Sequence, residues 1–193
     1  MSSETRIKAH KFYIAFGGNV ATNFGPPQKT MEMALERLEQ EGIRITARSR
    51  FFDTPAFPEG SGPNFVNGAI CVETTRSPES LLALLHNIEA DFGRQRVSRW
   101  GARTLDLDIL FFDDMVLPNR PIWQKWHDLP LEVQTVESPD QLILPHPRLQ
   151  DRAFVLVPLA EIAGDWVHPV LHLSVWDMLA ALPENLKNEV VPL

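Results

Sequence analysis

Between Lys11 and Phe112 the spacing of apolar residues changes in a fixed order, and that order restricts the fold more than any other feature of the chain. "KFYIAF" (11–16) is a short apolar run ending at Gly17-Gly18, which reads as a buried strand entering a loop. Pro26-Pro27 opens a stretch with Met31, Ala34, Leu35 and Leu38 on one helical face, closed by Gly42. "IRITARSRFF" then alternates from Ile43, with Ile43, Ile45 and Ala47 inward and Arg44, Thr46, Arg48 and Arg50 outward. That is the pattern of a half-buried antiparallel strand. "DTPAFPEGSGPN" (53–64) is a proline- and glycine-rich loop, and "FVNGAICVET" (65–74) is the next strand. Ser77-Pro78 starts a second helix whose buried stripe is Leu81, Leu85, Ile88 and Phe92, with Gly93 as its stop. "TLDLDILFF" (104–112) is so apolar that it predicts a central strand.

The order is β-α-β-β-α-β. It predicts an α+β, ferredoxin-like fold: an antiparallel sheet with both helices on one face and the other face free to carry a site. From Pro118 to Gln141 the periodicity breaks down into a long excursion with four prolines and two tryptophans. "LILPHPRLQDRAFVLVPLAEIAG" rejoins as a short strand, a turn and a helix, and a last helix begins at Ser174, where Asp177 completes a capping box. A length of 193 residues fits one domain, expected over 1–193 with the 118–141 stretch as an insertion.

Composition narrows the function classes. No apolar run approaches the about 20 residues that span a bilayer, and the N-terminus lacks the layout of a secretory leader. Cys71 is the only cysteine, so no internal disulfide forms, and a cytoplasmic location is expected. The net charge of −7 disfavours nucleic acid and anionic membrane as partners.

Against this acidic background Arg94, Arg96, Arg99 and Arg103 fall within ten residues, with no acid among them. Asp106 and Asp108 follow at i and i+2 on a strand, so both carboxylates leave the same face while Leu105, Leu107 and Ile109 face the core. Two like charges that close repel unless a cation lies between them, and magnesium takes such carboxylates while keeping phosphate oxygens. A pair of this kind also suits a solvated strand end, and the arginines also suit a solvated basic loop. Guanidinium forks match phosphate oxygens, and phosphoryl transfer needs positioning and charge neutralisation above all. Trp100 beside them suits either ligand stacking or anchoring of the loop. Phe65 and Asn67 share a strand face, a combination that suits a planar heterocycle as well as ordinary packing. His146 lies between two prolines that stiffen its backbone, in a stretch that also holds Arg152 and Phe154. His168 and His172 have helical ligand spacing, but Pro169 weakens any metal reading. The G-x-x-x-x-G-K-[ST] phosphate loop does not occur.

"IAFGGN", "FVNGAI", "RWGARTLDLDILFF" and "LILPHPRLQDRAFVLVPL" occur in this order and resemble the 6-hydroxymethyl-7,8-dihydropterin pyrophosphokinases of the folate pathway, over roughly residues 12–163. The R-W-G-x-R-T-L-D-L-D-I stretch is the most specific of them. The resemblance implies transfer of a pyrophosphoryl group from ATP, as co-substrate, to the hydroxymethyl group of a reduced pterin, with AMP leaving. It implies two Mg2+ ions held by Asp106 and Asp108, with Arg94 and Arg103 closest to turnover. The pterin would lie between Phe65 and Phe154, with Asn67 on its edge, backbone groups of Gly17, Thr54 and Phe57 nearby, and Trp100 on a closing loop. Glu89, Arg96, Ile109, His146 and Arg152 would meet ATP. A monomer with only small-molecule partners is expected.

Departures from the family pattern are local. Gly18 replaces a frequent serine, Phe65 a frequent tyrosine, and His86 and Pro147 stand where some members place glutamine and tyrosine. Two other classes share some of these features: an RNA-binding sheet, which wants several exposed aromatics on a basic surface, and a two-metal nuclease using the same carboxylates.

Overall fold

The computed structural model describes residues 8–56, 62–94, 103–130, 132–133 and 137–193. In chain order the elements are β1 His10–Gly18, α1 Pro27–Gln40, β2 Arg44–Arg48, β3 Phe52–Thr54, β4 Phe65–Thr74, α2 Pro78–Asp91, β5 Asp106–Phe112 and α3 Arg120–Asp128. A 3-10 turn at Leu149–Asp151, α4 Ala153–Ala163, α5 Val175–Ala181, α6 Glu184–Asn188 and β6 Val191–Pro192 complete the chain.

Local chemistry sets the helix ends. Ser77 caps α2 by accepting from Ser80 N at 3.2 Å, and Pro78 supplies a preset φ at the first helical position. Gly42 and Gly93, just past α1 and α2, take φ of 79° and 81°, values that favour a residue without Cβ. Ser174 and Asp177 form the expected capping box on α5, and Asn119 caps α3 through Ile122 N at 3.0 Å.

The strands form one antiparallel sheet in the order β5-β1-β4-β3-β6, with β2 also paired to β4. The alternating run from Ile43 is therefore two strands. Its register against β4 slips between Ile45 and Ala47, and a second pairing segment begins at Phe52 and runs into the start of the expected loop.

Alternation sends Phe12, Ile14 and Phe16 of β1 to one face, with Ile70 and Val72 of β4 and Leu107 and Ile109 of β5. There they pack on Met31, Ala34, Leu35 and Leu38 of α1 and on Leu81, Leu84, Leu85 and Ile88 of α2. The opposite face is not left free, as the sequence pattern predicts. Ala69, Leu110 and Phe111 lie in a second cluster with Val155, Leu156, Leu159 and Ala160 of α4 and Val175 and Met178 of α5. Each sheet face can shed apolar area only by being covered, and the segment after Gln141 covers the second one.

β5 corrects a second expectation. It ends the hydrogen-bonded order instead of standing at its centre. Its apolarity has another cause: both faces are packed, and His146 N meets its outer edge by donating to Leu110 O at 2.7 Å. A bulge opposite Tyr13 and Ile14 turns the consecutive residues Leu110 and Phe111 to the same face.

The 118–141 excursion carries α3, which is locked down by Trp123, a residue with no exposed surface. His168 is equally buried. Its Nδ1 accepts from Val170 N at 3.1 Å and Leu171 N at 3.2 Å, and burial first, then His127 and His172, pushes its pKa down to about 4. It is a neutral structural residue, and among the described residues no His, Cys, Asp and Glu cluster is arranged to hold a metal. No described helix is long and apolar enough to cross a membrane.

Candidate functional site

Register places the polar residues at one end of the α4-side face. Asp106, Gly17 and Asn67 stand in one row across β5, β1 and β4, and Asp108, Ala15 and Ala69 stand in the next. Gly17 has no side chain, and the Asn67 side-chain carbonyl takes the space beside it. A Cβ there would collide with Asn67 Oδ1. Asn67 is 7% exposed and donates through Nδ2 to Thr54 Oγ1 at 2.6 Å, which turns its Oδ1 over Gly17. Phe65, two residues back on the same face, is partly exposed, and Phe154 in the first turn of α4 is 42% exposed with the Arg152 guanidinium beside its ring. These are the aromatics and the amide that the sequence pairs.

Asp106 sits in a cationic bracket. Arg103 binds one carboxylate oxygen, and Arg94 lies 2.6 Å from the other. Arg94 also binds Glu89, which is 1% exposed and accepts from Leu107 N at 2.7 Å. Burial first raises Asp106 above the usual carboxylate range, with Asp108 adding to the rise and Arg103 and Arg94 opposing it. The same causes act on Glu89. Burial first, then Asp106 and Asp108, outweighs Arg94 and the Leu107 amide and lifts its pKa to about 7. Glu89, Asp106 and Asp108 thus share one region with the guanidiniums of Arg94, Arg103 and Arg152. Asp106 and Asp108 are hard oxygen donors of the kind that could hold magnesium.

Asn19 is the residue that the sequence pattern underrates. It is 7% exposed, its Oδ1 accepts from Arg103 N at 2.9 Å, its own N donates to Arg103 O at 2.9 Å, and its Nδ2 donates to Pro63 O at 3.1 Å. It ties the end of the arginine segment to the β1 loop. Gly18 permits this approach, because a Cβ there would stand 2.6 Å from Thr104 O. A polar residue straight after a strand-ending glycine pair is the signal that points to such a tie.

Beside Asp108 a cleft of about 860 Å3 opens between α2 and the excursion. Asp108, Ile109, His146, Arg148 and Arg152 line one part of it, and Glu79, His86, Trp126, Glu137 and Asp140 line another. The excursion therefore borders the site. Ile109 is mostly committed to the core at 3% exposure. His146 Nδ1 accepts from Arg148 N at 3.1 Å. Burial first, then Arg152 and Arg148, pushes its pKa down to about 3, so at neutral pH the imidazole is uncharged and carries its proton on Nε2. Burial also lowers Arg152, against the attraction of Asp108. Phe57, Arg96, Arg99 and Trp100 lie outside the described residues. Of the expected residues, Gly17, Thr54, Phe65, Asn67, Glu89, Arg94, Arg103, Asp106, Asp108, Ile109, His146, Arg152 and Phe154 lie within them.

A family model for 7,8-dihydro-6-hydroxymethylpterin-pyrophosphokinase (HPPK) matches residues 13–164. The 2-amino-4-hydroxy-6-hydroxymethyldihydropteridine pyrophosphokinase of Pseudomonas aeruginosa is 37% identical over 175 residues, which are 90% of this chain and 92% of that protein. The Synechocystis protein of the same name is 36% identical over 163 residues, 84% of this chain and 71% of its own. The folic acid synthesis protein fol1 of Pneumocystis carinii is 30% identical across 100% of this chain, which spans only 23% of that longer protein. Among solved structures, wild-type HPPK-DHPS of Plasmodium falciparum superposes with a TM-score of 0.66 over 96% of this chain and 43% of its own. At 18% identity, that likeness is one of fold. By these matches the chain belongs to the 7,8-dihydro-6-hydroxymethylpterin-pyrophosphokinase family.

Proposed function

We propose that this chain transfers the pyrophosphoryl group of ATP to the hydroxymethyl group of 6-hydroxymethyl-7,8-dihydropterin in folate synthesis, releasing AMP. The observation that carries the reading is the row Asp106–Gly17–Asn67, which sets a carboxylate and an edge-reading amide on either side of a strand position with no side chain. A flat ring lying over Gly17 meets Asn67 Oδ1 with a ring N–H and stacks between Phe65 and Phe154. Backbone groups of Gly17, Thr54 and Phe57 complete its surroundings, and Trp100 belongs to the loop that closes over it. The hydroxymethyl oxygen attacks the β-phosphorus and gives up its proton to solvent, the bond from that phosphorus to the α,β-bridging oxygen breaks, and AMP leaves with the bond's electrons.

The protein's own contribution is charge and position. Arg94 and Arg103, now on Asp106, take phosphate oxygens when the triphosphate arrives, and Glu89 holds Arg94 from behind. His146 offers its Nε2 proton to the nucleotide, and Arg96 and Arg152 add positive charge along it. The cleft beside Asp108 and Ile109 receives the rest of the ATP. Two Mg2+ ions held by Asp106 and Asp108 would neutralise triphosphate charge when bound. The sheet order supports a ferredoxin-like βαββαβ arrangement with added C-terminal helices, in a single domain over 1–193. The net charge of −7 and the lone Cys71 support a cytoplasmic monomer acting on small molecules alone.

Calorimetry tests the reading. Pterin should bind more tightly once a non-hydrolysable ATP analogue and Mg2+ are present, and the analogue more tightly with pterin; affinities independent of order would count against a shared site. A narrower check is Gly17→Ala, whose methyl pushes the Asn67 amide aside. Pterin affinity should fall about tenfold or more, while circular dichroism stays that of the parent protein.

A further inference from the structure

We infer that Trp123, on the α3 excursion, is a positioning residue for His146, so that the excursion sets the geometry of the nucleotide cleft. The inference rests on reading that cleft as the ATP site.

A buried tryptophan must find an acceptor for its indole N–H. Trp123, with 0% exposure, donates to Pro145 O at 2.7 Å. That oxygen belongs to the peptide plane joining Pro145 to His146, and the N–H of the same plane donates to Leu110 O at 2.7 Å. The plane is therefore gripped at both ends, by α3 and by β5. Peptide planarity passes this constraint to the His146 Cα, and so to the direction in which its side chain leaves.

Further contacts hold the residues on the C-terminal side of His146. Leu149 N donates to His146 O at 3.0 Å, and Arg148 N donates to His146 Nδ1 at 3.1 Å. Gln150 Nε2 donates to Pro147 O at 3.0 Å and meets His127 Nδ1 at 3.2 Å. His127 lies one turn after Trp123 on α3 and stacks on it, with ring centroids 4.8 Å apart and planes inclined by 14°. Residues at i and i+4 of one helix thus reach both proline carbonyls that flank the histidine, Trp123 at Pro145 O and His127 at Pro147 O, the latter at 3.4 Å with Gln150 beside it. Trp123 itself is held from its other side by His168, at 5.0 Å between rings.

An ordinary core tryptophan makes a different prediction: its loss would cost stability without discriminating between ligands. Trp123→Phe keeps an aromatic ring and removes the N–H. Binding of Mg2+ with α,β-methylene ATP should weaken about tenfold, and pterin binding without nucleotide should stay within about twofold. In the His146→Ala background, Trp123→Phe should add no further loss, because the group it aims is gone. Additive losses, equal losses for both ligands, or parental affinity in Trp123→Phe would overturn the positioning role. A parental affinity in His146→Ala alone would instead overturn the assignment of the cleft to ATP. A wild-type measurement covers failure of the variant to fold: the Trp123 indole 1H–15N signal should move on adding the nucleotide analogue with Mg2+ and stay still on adding pterin alone. A signal that ignores the nucleotide rejects the inference.

Discussion

Asp108→Ala should lower AMP formation by about 1000-fold or more, with the thermal melting temperature close to that of the parent. Asp108 repels Asp106 and attracts the Arg152 guanidinium, so its removal has opposing effects on the ligand-free protein while deleting half of the carboxylate pair. Asp106→Ala is the poorer variant for this purpose. It leaves Arg94 and Arg103 without their shared carboxylate, and both have limited exposure, so activity and stability would fall together. An AMP-release assay beside a melting curve reads both quantities. Activity within about tenfold of the parent would show that the reaction does not use this carboxylate.

Arg103→Ala should reduce kcat by about 100- to 1000-fold and leave pterin affinity within about threefold. Its backbone is anchored independently of its side chain: N donates to Asn19 Oδ1 and O accepts from Asn19 N, each at 2.9 Å. Truncation therefore removes the guanidinium without releasing the segment. Because that charge meets phosphate oxygens whose charge changes during transfer, the loss belongs to the chemical step more than to binding. Steady-state kinetics together with pterin titration separates the two. Parallel losses would make Arg103 a simple binding residue.

Much of this was legible in the chain, and the gaps have physical causes. Short apolar runs bounded by turn residues located β1 and β5, and period-two alternation located β2, because the side chains of a strand report which face is buried. The same signal does not count hydrogen-bonded neighbours, and so β5 reads as central although it ends the sheet. The slip after Ile45 leaves the composition of 43–52 unchanged, and a bulge of that kind has no sequence mark here. α4 is apolar nearly all round, which announces burial without saying against what; only the tertiary fold shows that it covers Ala69, Leu110 and Phe111. In the site, the aspartate pair and the Phe65–Asn67 pair follow directly from strand geometry. Glu89 and Asn19 act through contacts to residues 18 and 84 positions away, and Trp123 through one 22 positions away, none of which local spacing encodes.

The arrangement at the margins of the sheet bears on solubility. Open strand margins recruit strands from other molecules. Here one margin is met at Leu110 O by the amide of His146, and the other ends in a two-residue β6 that includes Pro192, which has no N–H to donate. β2, the remaining outer strand, exposes Arg44 and Arg48. Concentrated solutions of this protein should resist fibril growth by strand addition, with guanidinium repulsion guarding the β2 flank.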